Sequence, residues 1–498
     1  MRKKLTIILA LTIWMGYSQS YPESVEIDPY LWGDINAPTS LPEVNELYID
    51  PVSGMEIQRI APDNTTNFTN RYSKIPAFNR SGEWIKQNSS NGTAFIEVAN
   101  LENIIYRGVN GGGYWSNSLD RPNDLYVLFR YSNDLALKSQ TFPNPYGSET
   151  LLHDFTDTHI DIGFGMNEGL ISNDDRWMVI NAVKNDGTPE LIVMDLDDCR
   201  ENPNQPSNIW SRMSIEDNGE QIIDWVTISP LGNYVVIGYF GEYNINPFNG
   251  NAIVRWDNTP ITPTGKMVVN YTESHASLGV DVNGEEVYIG FKDGESGCPA
   301  DCMGEDDNTF LMMSRLRDGE TVYKFRDTGS DGLSRGLYGG YVTTTNLDRL
   351  GYAYIIETCC SRDGAVTKDI IGIRLDYDEV DEMEYYFRSN ANRLSGTSSL
   401  SAPYTSVSPN GLEFVFNSYW HSDELMSQYQ NAPSWYAKYP QMTLNVPEVV
   451  EHHPVPDSVE YFTMLGQKLG NKRPVKQGIY IEISRYQNKI ESKLIPIR

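Results

Sequence analysis

The feature that most constrains the fold of this chain is a short turn that recurs seven times and precedes an apolar and aromatic strand each time. The copies begin 39 to 64 residues apart, at Asn79, Ser118, Ser172, Ser229, Asp281, Thr345 and Ser408. Each copy starts with a small polar residue and has Gly or Asp at its end. Because no sustained 3.6-residue apolar period accompanies them, the copies predict an all-β protein made of repeated strand groups, a seven-bladed β-propeller. Two stacked β-sandwiches are the alternative, but they do not explain one turn type recurring once per strand group.

The repeat also predicts where functional residues lie. In a propeller blade the first strand is innermost, and the repeated turn joins it to the second strand. We call the face that carries these turns the bottom face. The loops between second and third strands and the links between blades then lie on the opposite, top face. We expect long insertions and chemically active side chains on the top face.

The N-terminal residues 1–20 have the pattern of a secretory signal peptide. Arg2, Lys3 and Lys4 form a basic start, an apolar run follows from Leu5, and small residues end near Ser20. A membrane anchor is the alternative, but the run is shorter than the roughly 20 residues that a bilayer span requires. We therefore predict an exported protein, secreted or held at the cell surface, with no membrane span and monomeric.

The C-terminal residues 446–498 differ in composition from the rest. A Pro-containing linker is followed, from residue 459 onward, by eight Lys and Arg against three Glu. A Gly478 turn before an alternating strand predicts a small antiparallel β-module. The segments 459–469 and 477–483 resemble the C-terminal sorting domain of type IX secretion in the Bacteroidetes, which implies the type IX machinery as a partner. The propeller domain is then expected at 21–445.

The charge balance excludes one class of partner. The chain has 67 Asp and Glu against 39 Lys and Arg, a formal net charge of -28. A nucleic-acid binder needs a basic stripe that neutralises phosphates, so this class is excluded. An anionic polysaccharide is compatible with the charge only if a local positive patch surrounds its site.

Two histidines and two tyrosines are expected on the top face. His153 and His159 lie in the link that precedes the Ser172 turn. Tyr239 ends the second strand of the Ser229 blade, and Tyr243 follows in the next loop. Each His taken alone has a simpler explanation as a hydrogen-bonded core or loop residue.

Arg255 is the fifth candidate. It lies in a predicted third strand between Val254 and Trp256. A cation in that setting needs an anionic partner. The partner is either a structural Asp, such as Asp224 or Asp257, or the carboxylate of a substrate.

An exported seven-bladed propeller with these residues resembles the ulvan lyases of polysaccharide lyase families 24 and 25. The resemblance implies cleavage of ulvan, a sulfated polysaccharide of rhamnose and uronic acid, by β-elimination at the uronate. It also implies roles for the candidates. Arg255 would neutralise the uronate carboxylate, His159 would act as base and Tyr239 as acid. His153 would contact substrate or replace His159 as base, and Tyr243 would contact substrate.

Other functions fit the residues less well. A glycosidase needs a carboxylate pair, and none is singled out by spacing. Only residues 172–177 approach the Asp-containing turn of sialidases. The nearest alternative among enzymes is an oligogalacturonate lyase. Such an enzyme is also a propeller, and it binds uronate through a metal held by clustered His. The alternative that is not an enzyme is a propeller that binds glycan or protein without catalysis.

Some of the five cysteines could bind a metal ion. His275, Cys298, Cys302 and one of Cys359 and Cys360, with Cys360 preferred, could hold a structural zinc. One or two disulfides between neighbouring loops are the alternative, usual outside the cell. Cys199 stands apart and is expected to be unpaired. No organic cofactor is expected.

Three clusters of acidic residues are candidate calcium sites. They lie at 195–198, 305–307 and 376–384. Such clusters could hold Ca2+, although solvated loops that keep an exported protein soluble are the commoner explanation.

Overall fold

The computed structural model describes most of residues 41–440 and four strands within 458–497. The chain divides into two compact units, residues 1–440 and 441–498. Residues outside the described part are 1–40, 45, 52, 62–67, 71–72, 90, 108–112, 132–133, 144–148, 165–170, 204, 206–208, 214–221, 241–250, 256–266, 270–275, 293–309, 319, 325–326, 329–333, 336–339, 358–368, 379–382, 390–403, 421–424, 426–431, 441–457, 464–467, 471–477, 486–489 and 498. The predicted signal peptide therefore lies outside the described residues.

The first unit contains six antiparallel four-stranded sheets, numbered here in chain order. Their strands are as follows: sheet 1, Phe68–Thr69, Trp84–Ser89, Gly92–Glu97 and Asn100–Arg107; sheet 2, Tyr114–Trp115, Asp124–Tyr131, Asp134–Thr141 and Glu149–Asp154; sheet 3, His159–Phe164, Trp177–Lys184, Pro189–Asp195 and Ile209–Met213; sheet 4, Ile222–Ile228, Tyr234–Phe240, Asn251–Arg255 and Met267–Val269; sheet 5, Ser277–Val280, Glu286–Lys292, Phe310–Arg315 and Thr321–Lys324; sheet 6, Gly340–Thr343, Tyr352–Glu357, Asp369–Arg374 and Met383–Arg388. A hairpin of Asp327–Thr328 and Ser334–Arg335 lies between sheets 5 and 6 in the chain.

A further sheet, which we call the closing sheet, joins the two ends of this unit. Its five strands lie in the order Leu47–Ile49, Glu56–Arg59, Ser434–Lys438, Glu413–Asn417 and Ser406–Val407. The fold is therefore an all-β propeller, as predicted. The prediction of seven like blades needs correction to six four-stranded blades and one five-stranded closing sheet, because two N-terminal strands pair onto the last three.

The repeated turns occupy the positions that the sequence predicts. Each of the seven lies between the first and second strands of a different sheet. Gly232 and Gly411 have φ of +74° and +77°, a left-handed conformation that disfavours a side chain. Asp175 takes the same conformation with φ of +63° at the equivalent turn of sheet 3. In these three turns Gly or Asp is therefore used for a backbone reason, whereas Asp120 and Asp348, at the turns of sheets 2 and 6, do not have positive φ.

Each sheet packs on the next one, and the contacts return to the start of the ring. Sheets 3 and 4 are linked by a hydrogen bond of 2.7 Å from the Asn173 amide to the Pro230 carbonyl. The other neighbouring sheets share buried apolar clusters, which include Val415 with Phe78, Phe95 with Trp115, Leu137 with Ile180, Val236 with Tyr288, Ile289 with Ile355 and Tyr386 with Phe414. The stability of the ring therefore comes mainly from apolar surface buried between sheets.

The second unit contains one antiparallel sheet. Its strands lie in the order Lys468–Gly470, Ser458–Thr463, Gly478–Arg485 and Ile490–Ile497. Within the described part of the chain, no helix has the length and apolar character needed to cross a membrane.

Candidate functional site

The register of sheet 4 separates Tyr239 from Arg255. Tyr234, the first residue of the second strand, pairs with Arg255, the last residue of the third strand. Tyr239 lies five residues further along the second strand, so the two backbones are about 17 Å apart at a rise of about 3.4 Å per residue. Tyr239 is at the top end and Arg255 at the bottom end. The expectation that they share one top-face site does not hold, because antiparallel pairing brings the end of one strand beside the start of the other.

Only the backbones of Tyr239 and Arg255 are described, and Tyr243 lies outside the described residues. The same limit applies to the two proposed acidic partners of Arg255. The side chain of Asp224 is not described, and Asp257 lies outside the described residues.

His159 begins the first strand of sheet 3 and lies at its top end, where its register partner is Lys184. Its ring is buried. Nε2 lies 3.0 Å from Oε2 of Glu190, and Nδ1 lies 2.7 Å from Oγ1 of Thr158. Lys184 Nζ lies 3.1 Å from the other Glu190 oxygen. Both ring nitrogens therefore bond to the protein, which is the arrangement of a hydrogen-bonded core histidine.

The tautomer of His159 follows from these bonds. An ionised carboxylate can only accept, so we assign the Nε2 hydrogen to the bond with Glu190. The lone pair of a neutral ring then lies on Nδ1, which faces the Thr158 hydroxyl. That nitrogen is not open to a substrate proton.

His153 lies near the top end of the fourth strand of sheet 2 and is half-buried. Its ring packs edge-on against Phe155, with the ring centres 4.3 Å apart. Its Nδ1 is buried and has no hydrogen-bond partner among the described residues. Burial lowers the pKa of His153, Asp154 opposes that shift, and nearby His159 adds to it. A neutral imidazole with an unbonded nitrogen is suited to accept a proton.

Lys86 lines a small cavity of about 30 Å³ on the top side of sheets 1 and 2. Its ammonium donates to the carbonyl of Gly113 and lies 5.6 Å from the centre of the Tyr114 ring. The side chains of Asn70 and Asn88 belong to the same lining. The cavity combines a cation, an aromatic ring and amides, the groups that bind the carboxylate and hydroxyls of an acidic sugar.

The predicted zinc ligands cannot be placed. His275, Cys298, Cys302 and Cys360 all lie outside the described residues, as does Cys359. Among the residues that are described, no group of three or more His, Cys, Asp or Glu is arranged to hold a metal ion.

The acidic segment at 195–198 is not a loop but the start of a short helix, Leu196–Glu201. Asp195 caps this helix by accepting from the amides of Asp197 and Asp198, and it pairs with Arg176 at 2.9 Å. Its carboxylate therefore already has protein partners in place of Ca2+.

The other acidic clusters divide between described and undescribed residues. Asp376 pairs with Arg374 at 3.3 Å, and Glu384 pairs with Arg349 at 2.7 Å. The cluster at 305–307 lies outside the described residues. Cys199 is a free, buried thiol, as predicted. Burial raises the pKa of Cys199 to about 12, so it is an inert thiol.

The sequence did not single out Glu190 or Thr158, the two partners of His159. Thr158 precedes His159 directly, and a hydroxyl beside a histidine was a signal that could have been followed. Glu190 is 31 residues away along the chain. Only the strand order of sheet 3 brings it to His159, so no local pattern marked it.

Comparison with known proteins identifies the fold. No family model and no curated protein matches the chain. An oligogalacturonate lyase from Vibrio parahaemolyticus has a similar structure, with a TM-score of 0.51 and 11% identity over 80% of this chain and 97% of that one. The β-propeller domain of the Trilobed protease from Pyrococcus furiosus matches with a TM-score of 0.40 and 12% identity, over 71% of this chain and 91% of that one. Because the identity is only 11%, the similarity to the oligogalacturonate lyase shows a shared propeller fold and no more.

Proposed function

We propose that this protein is a lyase that cleaves a uronate-containing polysaccharide by β-elimination on the top face of its propeller. The observation that carries the proposal is the state of His153. Its pKa is lowered by burial, and its buried Nδ1 has no partner among the described residues. The shared fold with an oligogalacturonate lyase supports the same class of reaction.

The reaction assigns a step to each group. His153 takes the proton from C5 of the uronate, the bond from C4 to the glycosidic oxygen breaks, and a C4–C5 double bond forms. The leaving oxygen must receive a proton, and Tyr239 remains the candidate acid because its strand ends on the top face. A cation must also neutralise the uronate carboxylate to make the C5 proton removable. Since Arg255 lies at the bottom end, Lys86 takes this role in the proposal.

Ulvan is the first substrate that we propose, on the resemblance of the sequence to ulvan lyases. Oligogalacturonate is the second, because the structure with a TM-score of 0.51 is an oligogalacturonate lyase. The two substrates differ in sulfation and sugar sequence but share the uronate at which elimination occurs.

Export is part of the same proposal. A polysaccharide substrate is met outside the cell, and residues 1–20 have the pattern of a signal peptide. The sheet within residues 441–498 would serve as the sorting domain for type IX secretion. A structural zinc at His275, Cys298, Cys302 and Cys360 also stays a proposal.

The separation of Tyr239 from Arg255 favours a second function, a propeller that binds acidic glycan without cleaving it. The two residues were expected to form one catalytic group, and the register of sheet 4 holds them apart. Binding would need only a cation and polar groups, such as those around Lys86.

The experiment is an absorbance assay with ulvan, oligogalacturonate and alginate, because β-elimination gives an unsaturated product that absorbs ultraviolet light. We expect product from at least one uronate, and we expect His153→Gln to lower its rate by about 100-fold or more, the usual contribution of a general base. Glu149→Gln, on the same strand, is the control that retains the rate. Binding of these glycans with no rise in absorbance would reject the lyase and support the binding propeller.

A further inference from the structure

A hydroxyl group on the top face bonds to His159. Thr158, in the link between sheets 2 and 3, is exposed, and its Oγ1 lies 2.7 Å from Nδ1 of the buried ring. On the other side of the ring, Nε2 lies 3.0 Å from Oε2 of Glu190, whose side chain is buried. An exposed hydroxyl, an imidazole and a buried carboxylate are therefore joined by hydrogen bonds. Enzymes that use a hydroxyl nucleophile have this order of groups, in which the carboxylate orients the ring and the ring removes the hydroxyl hydrogen.

The hydrogen positions agree with that order. With its Nε2 hydrogen on the bond to Glu190, a neutral His159 has a lone pair on Nδ1, which can accept from the Thr158 hydroxyl. That hydroxyl also lies 3.2 Å from the carbonyl of Phe155, but it has only one hydrogen. Donation to Phe155 would leave two lone pairs facing each other at the shorter distance of 2.7 Å. We therefore place the hydrogen between Thr158 and His159.

The backbone of the link fixes the hydroxyl relative to the ring. The Thr158 amide donates to the Phe155 carbonyl at 3.0 Å, and the Thr158 carbonyl accepts from the amide of Asn185 at 3.1 Å. The side chain of Asn185 also donates to the carbonyl of Asp157 at 2.8 Å. The link is thus bonded to the loop that follows the second strand of sheet 3. A nucleophile held in this way is already oriented toward its base before a substrate arrives.

The surroundings of Thr158 limit the class of substrate. Asp154 and Asp157 are exposed in the same link, and the ammonium of Lys184 is taken up by an ion pair. Exposed carboxylates repel an anionic substrate. Ile160 is 60% exposed and offers apolar surface. A small, uncharged substrate therefore fits this position.

We propose that Thr158, His159 and Glu190 form a second catalytic site, which hydrolyses a small uncharged carboxylic ester through an acyl-threonine. Thr158 is the nucleophile and His159 is the base. Glu190 is a positioning residue that holds the ring. The hydrolysis is a separate activity of the top face, because the proposed lyase assigns its steps to other side chains.

The steps balance without any further reactant than water. Oγ1 of Thr158 forms a bond to the carbonyl carbon of the ester, and its hydrogen moves to Nδ1 of His159. The bond from that carbon to the alcohol oxygen then breaks, and the alcohol leaves with the hydrogen from Nδ1. Water next attacks the acyl-threonine and gives one hydrogen to Nδ1. The acid leaves as Oγ1 takes that hydrogen back, so the ester and water become an acid and an alcohol.

The negative charge that develops on the substrate oxygen needs a donor as well. The amides of Thr158 and His159 both donate to the Phe155 carbonyl, so they are engaged elsewhere. Ile160 lies in a bulge, because the register of the first two strands passes from His159 directly to Asp161. Bulges are frequent beside active sites. The Ile160 amide takes this role in the proposal.

Hydrolysis of p-nitrophenyl acetate by the full chain, followed by the absorbance of p-nitrophenolate, tests the proposal. We expect turnover by the wild type. Thr158→Val should lower kcat by about 100-fold or more, the usual contribution of proton transfer to a base. Thr158→Ser keeps the hydroxyl and should retain turnover. Thr188→Val is the matched control that should leave kcat unchanged, because it removes a half-buried hydroxyl from the loop between the second and third strands of the same sheet.

The role of Glu190 is tested by separating kcat from KM. Glu190→Gln keeps the shape of the side chain but removes the charge that stabilises the protonated ring. We expect kcat to fall by about tenfold or more with KM unchanged, whereas a residue that only supports the fold would leave kcat of the folded protein as it is.

A covalent label identifies the nucleophile. A fluorophosphonate loses fluoride to an activated hydroxyl, and mass spectrometry should place the phosphonyl group on Thr158. An imidazole can also attack an activated ester, and His153 is the competing group in this region. Loss of turnover in His153→Gln with full turnover in Thr158→Val would overturn the proposal, as would a wild type without turnover or a label on another residue. Because the assay contains no uronate, its result is separate from that of the proposed lyase.

Discussion

Nε2 of His159 lies 3.0 Å from Oε2 of Glu190, whose side chain is 1% exposed. Lys184 completes the group from the next strand, with Nζ 3.1 Å from the other carboxylate oxygen. The buried carboxylate therefore ties the first, second and third strands of sheet 3 together at the top face. This explains why His159 is held in place and why we assign the base to His153.

Glu190→Ala should lower the free energy of unfolding by about 3 kcal/mol. The substitution leaves a buried Nε2 hydrogen without its acceptor and removes the counter-ion of Lys184, and breaking such a buried pair is costly. Urea denaturation followed by tryptophan fluorescence measures the loss. Asp161→Asn is the matched control in the same sheet, because its ion pair with Arg130 is half-exposed and contributes less than about 1 kcal/mol. Equal losses in both variants would contradict the role given to Glu190.

His153 should make the protein less stable as the pH falls. Burial lowers its pKa in the folded protein, so the unfolded chain, with a His pKa of about 6.5, takes up the proton first. The stability that His153 contributes is therefore complete above about pH 6.5 and declines as the pH drops toward the folded pKa. We expect the urea midpoint of the wild type to fall more steeply over this range than that of His153→Gln. Parallel curves for the two proteins would show that His153 does not titrate in this way.

The sequence predicted the fold better than it predicted the site. The same types of residue recur at each turn, so the position of each turn between two strands could be predicted. At Gly232 and Asp175 the positive φ gives the physical reason for the residue. The five-stranded closing sheet could not be predicted, because Glu56–Arg59 pairs with a strand that begins at Ser434, near the other end of the propeller unit. The position of Arg255 could not be predicted either. The alternation of apolar and polar residues identifies a strand but does not set its register against the neighbouring strand.

Asp175→Gly should destabilise the protein by about 3 kcal/mol even though glycine suits the left-handed backbone. Asp175 is buried, accepts a hydrogen bond of 2.5 Å from Tyr126 and pairs with Arg200 at 3.0 Å. Removing the carboxylate leaves the buried Tyr126 hydroxyl without its acceptor and takes away one of the two carboxylates that pair with Arg200. This loss outweighs the roughly 1 kcal/mol gained by relaxing the turn. Chemical denaturation measures the difference. Asp120→Asn, at an exposed turn position, should change little, and a stabilised Asp175→Gly would show that backbone strain is the larger effect.

Arg80 should hold the ring together where it closes. Its guanidinium is 7% exposed and bridges from the turn of sheet 1 to Asp348 in the turn of sheet 6, past the closing sheet between them. Arg80→Gln removes both charge-assisted bonds. Because Asp348 is half-exposed, the expected cost in unfolding free energy is about 1 kcal/mol.

The part of the structure that Arg80→Gln destabilises distinguishes an ion pair that closes the ring from an ordinary surface ion pair. Hydrogen exchange in Arg80→Gln should become faster mainly in the closing-sheet strands Ser406–Val407 and Glu413–Asn417, since local opening follows the weakest inter-sheet contact. Arg317→Gln is the control, because its pair with Glu285 at 2.6 Å stays exposed and next to sheet 5. Faster exchange spread evenly over all sheets would mean that Arg80 stabilises the unit as a whole and not the point where the ring closes.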